Sequence, residues 1–356
     1  MNEGTAKDQL EGVALPDGWT VIKKLEKSQN DTGGNFSTGY IVRSPEGREH
    51  FLKAIDFAVP VGQDKARFLQ HVTESFNLER DILEISKRLS HVVRIVDDGA
   101  TQVVLDNGQV ETVQYLVFEL ASESLRNMAV VSQRLPMSIA FSVLHNVAVG
   151  LRQLHGQQVA HQDLKPSNVL KFDDGPFKVC DLGRASLKGR TAPHDSLEIA
   201  GAKSYAPPEL LYGQVDPDFV VRRWGCDAFL LGSLAAFLAC GSSMGALIVD
   251  ELDAAARPRA WNGKYEAVLP QVRAAFGRAI DRIAREIPDE APYKAELVLC
   301  VRQLCDPDPA VRGHPITRAI LANEGNVYDL ERYLNIFDRL SLAARIYEKQ
   351  KHKQDV

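Results

Sequence analysis

The sequence predicts an α+β protein of two lobes, and three observations carry that reading. Up to about residue 120, short stretches alternate apolar and polar positions between glycine- and proline-containing turns. One long amphipathic pattern, at residues 65–89, interrupts them. Beyond Ala121 the apolar residues follow a helical period instead. Strands first and helices afterwards is the order expected of an α+β fold.

Residues 1–18 begin "MNEGTAKDQLEG". They are polar, lack the apolar core of a signal peptide, and read as a flexible leader. From Trp19, alternation around Val21, residues 40–43 and residues 50–55 predicts three strands, with turns at Gly33–Gly34 and Pro45–Gly47. The helix at residues 65–89 places Phe68, Val72, Phe76, Leu83 and Leu89 on one period. "VVRIVDDGATQVV" and "VQYLVFEL" read as two strands around the Asn107–Gly108 turn. Met137–Gly156 is a strong helix entered after Pro136, whereas residues 186–203 have no period and read as a long mobile loop. One domain is expected over residues 19–320, with an N-lobe at 19–120 and a C-lobe at 121–320. A helical extension, packed on the domain, fills 321–356.

The 356 residues are 45% apolar and 25% charged, so a sizeable core can form. A net charge of −5 argues against nucleic-acid or membrane-surface binding through bulk charge. Five cysteines, an odd count without a C-x-x-C spacing, fit reduced thiols in the cytoplasm. The 22 uncharged residues 228–249 are long enough to span a bilayer, but a buried helix ended by a glycine turn fits them as well.

The polar candidates are few. "HQDLKPSN" places His161, Asp163, Lys165 and Asn168 at positions 1, 3, 5 and 8, neither a helix face nor a strand alternation, and Pro166 opposes a helix. It reads as an ordered polar loop. Asp181 follows in "KVCDLGRAS". Lys53 ends an apolar strand in "HFLKAID", and Glu79 lies on the first long helix. Phosphoryl transfer needs such a set. A cation must hold phosphate oxygens, Asn168 and Asp181 supply hard oxygen ligands, Asp163 is available to accept a hydroxyl proton, and Lys165 offsets developing charge.

On these residues the chain resembles the eukaryotic-type Ser/Thr protein kinases. HQDLKPSN is similar to the family's catalytic loop, Asp181–Leu182–Gly183 to its metal-binding DFG element, and Pro207–Pro208–Glu209 to its APE element. Lys53 and Glu79 resemble the strand lysine and its helix partner. "YLVFELA" places Phe118 at the gatekeeper and Glu119 to Ala121 along the adenine edge. Asp227 resembles the aspartate that opens the central C-lobe helix, and Arg312 the arginine that pairs with Glu209. The order of these motifs makes residues 228–249 a buried helix. The resemblance implies a two-lobed kinase fold, ATP with Mg2+ or Mn2+, and a protein substrate. It makes Asp163 and Lys165 catalytic, Asn168 and Asp181 metal ligands, and Lys53, Glu79, Gly33, Gly34, Phe51, Phe118, Glu119, Ala121, Asn168 and Asp181 nucleotide-binding.

Departures from the pattern keep two rivals open, a nucleotide-binding pseudokinase scaffold and a small-molecule phosphotransferase. "TGGNFSTG" puts Thr32, Gly34 and Ser37 where the family has three glycines. Phe51 stands for a small alanine, which implies either a narrowed pocket or a shifted strand register. Ala202 replaces a usual threonine. Gln162 replaces the arginine before the catalytic aspartate and cannot form a charge-assisted pair with a phosphate, so activation-segment phosphorylation acting through residue 162 is not expected to be needed; the alternative is that another basic residue, such as Arg184 or Lys203, takes over the role.

Overall fold

The computed structural model describes residues 5–26, 37–55, 57, 62, 64–105, 108–132, 134–173, 175–321 and 325–354. Alternation in the first lobe becomes β1 (Thr20–Lys24), β2 (Ser37–Arg43), β3 (Glu49–Ile55), β4 (Ile95–Val104) and β5 (Val110–Glu119). They form one antiparallel sheet in the order β1-β2-β3-β5-β4. Because side chains alternate, Leu52 and Ala54 of β3 face outward, while Phe51, Lys53 and Ile55 face the second lobe. Helix α1 (Lys65–Ser86) lies on that inner side, capped by the Asp64 carboxylate on the Arg67 N–H, and buries Phe76, Glu79, Ile82 and Leu83.

Over residues 5–18 the expectation of a flexible leader is corrected by the structure, and residues 1–4 lie outside the described residues. Residues 5–18 cover the outer face of the sheet, where Ala6, Leu10 and Leu15 pack with Tyr40, Leu52 and Tyr115. Tyr40 Oη donates to the Lys7 carbonyl at 2.6 Å, and Asp8 accepts from Lys24 and Thr38. The physical reason is the sheet itself: its outer face carries large apolar groups that would otherwise meet water.

In the second lobe a small ladder joins β6 (Glu123–Ser124), β8 (Val169–Lys171) and β9 (Lys178–Val179), and β7 (Val159–Ala160) pairs with β10 (Ser186–Leu187). Helices α2 (Leu125–Val131) and α3 (Met137–Gly156) lie between β6 and β7, and α4 (Pro208–Leu211) follows β10. Helix α5 (Gly225–Cys240) is apolar on every side and forms the lobe's axis. With the turn before it, Val220–Cys240 is long and apolar enough to cross a membrane, yet 89% of its apolar window is buried inside the fold. Gly241 ends it in the left-handed conformation before α6 (Met244–Glu251). Helices α7 (Tyr265–Arg285) and α8 (Lys294–Leu304) pack around this axis, followed by α9 (Pro315–Leu321). The last helix, α10 (Glu331–Gln354), lies against α3 through Tyr333, Phe337, Leu340 and Ala344. Its Glu348 carboxylate accepts the Ser138 N–H at 3.0 Å, supplying the cap that Pro136 cannot give α3.

The mobile loop expected at residues 186–203 is also corrected. Ser186, Ala192 and His194 are buried, and Arg222 donates to the carbonyls of Asp195 and Leu197. The segment lacks periodicity because it is anchored residue by residue to other elements, which a one-dimensional pattern does not display.

Candidate active site

The polar loop lies between β7 and β8, and its shape is set from below. The buried Asp227 carboxylate accepts the N–H groups of His161 (2.8 Å) and Gln162 (2.7 Å) and also meets His155 Nε2 at 2.9 Å. Gln162 sits at φ 63°, a left-handed conformation costing about 1–2 kcal/mol for a residue with a β-carbon. The hydrogen bonds of the turn to the Asp227 side chain offset that cost. Beyond the turn, Pro166 starts a short 3-10 turn that returns Asn168 toward Asp163.

Asp163 is enclosed by donors. One carboxylate oxygen accepts from Lys165 Nζ (2.8 Å) and Asn168 Nδ2 (3.2 Å), and the other from the Ala202 N–H (2.8 Å). Ala202 therefore contributes its main chain where the resemblance placed a hydroxyl. This needs glycine at 201, since a β-carbon there would lie 2.3 Å from the Gln162 carbonyl oxygen and 2.7 Å from Asp163 Oδ1. Asn168 Nδ2 also donates to the Asp163 carbonyl at 2.8 Å, and its amide oxygen, an acceptor with two lone pairs, takes only a long bond from Ser167 Oγ (3.4 Å).

Across the cleft, β3 delivers Lys53 to Glu79 of α1 at 2.7 Å and to Asp181 at 3.2 Å. Burial alone would lower the lysine's pKa, but the two carboxylates prevail and hold it above its usual range. Lys53 in turn holds the Asp181 carboxyl down at about 2 against the opposing effect of burial. Asp181 takes φ 63°, and its side chain remains 36% exposed toward the cleft. The Asp181 carboxylate and the Asn168 amide oxygen are hard donors suited to a divalent cation. Among the described residues no cluster of three or more His, Cys, Asp or Glu side chains has metal-binding geometry. A metal here would complete its shell with phosphate oxygens and water.

A cavity of about 400 Å³ opens beside this group, lined by Gly39, Phe51, Phe118, Ala121, Asn168 and Cys180 among others. The strand register is not shifted: Phe51 pairs with Phe118, and Lys53 keeps Glu79. The Phe51 ring reaches across β2 into the space above Gly39, where a β-carbon would lie 2.8 Å from it. Much of the expected crowding is thus absorbed by the missing side chain at 39. The Glu119 carboxylate is bound through Oε1 to Lys178 Nζ (2.6 Å) and the Arg94 N–H (2.8 Å), and its own N–H donates to the Arg94 carbonyl (3.2 Å), so both groups are already engaged. Gly33 and Gly34, with Thr32, lie outside the described residues.

The Arg312–Glu209 pair forms as expected, through two 2.7 Å bonds. The cation that meets Gln162 is neither Arg184 nor Lys203, the two residues named as alternatives. Arg184 offers Gln162 a carbonyl, and the guanidinium comes from Arg223, which sequence reading passed over. The loss of charge at 162 was a signal to look for a cation elsewhere, though nothing in sequence spacing marks position 223.

Residues 34–256, more than half the chain, match the family model "Protein kinase domain". The chain is similar to CBL-interacting protein kinase 4 of Oryza sativa subsp. japonica, 31% identical over 62% of this chain and 46% of that protein. It is likewise similar to serine/threonine-protein kinase STK11 of Rattus norvegicus, 30% identical over 38% of this chain and 31% of that one. With probable serine/threonine-protein kinase KCC4 of Saccharomyces cerevisiae it shares 31% identity over 45% of this chain and 14% of that protein. The chain spans less than half the length of these relatives. Family members use ATP and a divalent metal in general. By the extent of the match and by the loop, strand lysine and lobe order that accompany it, the chain belongs to the protein kinase domain family.

Proposed function

We propose that the protein transfers the γ-phosphoryl group of ATP to Ser or Thr hydroxyls of a protein substrate. The observation that supports this best is the position of Asp163: a buried carboxylate beside Lys165 and Asn168, facing the cleft that holds Lys53 and Asp181. In this reading Asp163 orients the acceptor hydroxyl and takes its proton as the new P–O bond forms and the bond to the departing diphosphate breaks. Lys165, within 2.8 Å of Asp163, stabilises charge on the moving group. Lys53 holds the α- and β-phosphates. Bound to Asn168 and Asp181, Mg2+ or Mn2+ supplies the positive charge that neutralises phosphate oxygens. A cytoplasmic setting belongs to the same proposal and rests on the cysteine pattern.

The test is incubation with labelled ATP and Mg2+, with and without a generic protein substrate, for wild type and Asp163→Asn. The variant keeps shape and loses the base. Transfer should fall by about 10²-fold or more while nucleotide binding persists. Near-normal turnover in the variant would remove Asp163 from catalysis. Nucleotide binding without transfer in the wild type would favour a binding scaffold instead.

A further inference from the structure

The residue beside Asp163 is neutral, yet a charge pair converges on it. Gln162 Nε2 donates to the Arg184 carbonyl (2.9 Å) and Ser186 Oγ (2.8 Å), and its Oε1 accepts from Arg223 Nη1. Arg223 Nη2 then meets Asp195 Oδ1 at 2.5 Å. The same Asp195 oxygen accepts from Ser186 Oγ at 3.3 Å, and its Oδ2 accepts the Ala192 N–H at 2.7 Å. One guanidinium of the C-lobe thus meets the side chain that adjoins the catalytic aspartate, and one carboxylate of the 186–203 segment reaches it through Arg223 and Ser186.

Local structure explains the placement of the cation. Val220–Trp224 forms a π-helical turn at the start of α5, a widened geometry that recurs at functional positions. It presents two consecutive arginines to one segment. Arg222 takes the Asp195 carbonyl (3.0 Å) and the Leu197 carbonyl (2.7 Å), and Arg223 takes the Asp195 carboxylate. Arg223 is only 4% exposed, and that carboxylate compensates its buried charge.

In kinases whose activation segment is switched, an added phosphate supplies the anion that an arginine binds, and the segment orders. Here the cation and the anion are both encoded. We propose that Asp195 and Arg223 form a built-in latch that holds residues 184–202 in place for phosphoryl transfer without phosphorylation. Both are positioning residues that act on Asp163 through Gln162 at one end of the segment and through the Ala202 N–H at the other. Ser186, at 1% exposure, is a hydrogen-bonding member of the latch and not a phosphate acceptor. The inference rests on the kinase reading above.

The experiment compares phosphatase-treated wild type, Asp195→Ala, Asp195→Glu and the double variant Asp195→Asn/Arg223→Met. Asp195→Ala should lower kcat by about 10²-fold through misplacement of the segment, with ATP affinity changed little. Asp195→Glu should recover part of the loss. The double variant leaves no lone buried charge, so its Tm should return toward wild type while kcat stays low. Wild type should be indifferent to phosphatase. Unchanged kcat in Asp195→Ala, recovery of kcat together with Tm in the double variant, or phosphatase-sensitive wild type would each overturn the latch. A wild type that transfers no phosphate would reject the function proposed above instead. Trypsin cleavage after the exposed Arg190 would still decide the latch, accelerated in Asp195→Ala if it exists and unchanged if it does not.

Discussion

Arg312 and Lys53 are each a cation paired with a buried glutamate, one in each lobe, and the two sites are finished differently. Arg312 is sealed. Its guanidinium meets both oxygens of Glu209, the Asp306 and Gly225 carbonyls, and the face of Phe229 at 5.1 Å. Lys53 is 19% exposed, and its second carboxylate, Asp181, opens on the cleft. A sealed pair has its donors committed and serves the fold. An open pair keeps bonding capacity that a ligand can use.

The comparison breaks first at Arg312. Arg312→Ala strands the Glu209 carboxylate among buried groups and should cost about 3–5 kcal/mol of stability, read from chemical denaturation. A loss within the range of an ordinary surface change would mean that the pair is not structural. Lys53→Ala should do the reverse, lowering phosphoryl transfer by about 10²-fold with a Tm much closer to wild type. Equal drops in Tm for the two variants would erase the distinction.

The smallest effect sharpens the cleft side. Gly39→Val alone forces a side chain against Phe51 and should push the ring into the cavity, weakening nucleotide binding. Adding Phe51→Ala roughly restores the volume, so the double variant should cost less than about 1.5 kcal/mol and regain affinity. Titration with a fluorescent nucleotide measures both. A double variant as weak as Gly39→Val would show that the two positions do not share one space.

The parts of the site that could be read from sequence are those held in short chain segments. Asp163, Lys165 and Asn168 meet because they lie within six residues, one of them a proline, and Asp181 follows a short strand. Lys53 was readable because strand alternation fixes which face it takes. Arg223 and Asp195 were not, since 28 positions separate them and their meeting depends on a π-turn that no residue pattern announces. The N-terminal segment failed for another reason. Ala6, Leu10 and Leu15 are too sparse to form a period, and what orders them is the far face of a sheet built later in the chain. The fold class survived both gaps because it depends on the strand and helix periods of the long elements.

Asp227 has a consequence for how the loop opens in time. The amide protons of His161 and Gln162 point at its fully buried carboxylate, at the head of the central helix. Solvent deuterium reaches them only when that carboxylate is uncovered, which requires the C-lobe core to come apart. The two amides of the catalytic turn therefore belong with the slowest-exchanging class of the molecule, alongside the interior of α5. Their exchange rate reports global unfolding, although the residues themselves lie in a loop beside a solvent-filled cleft.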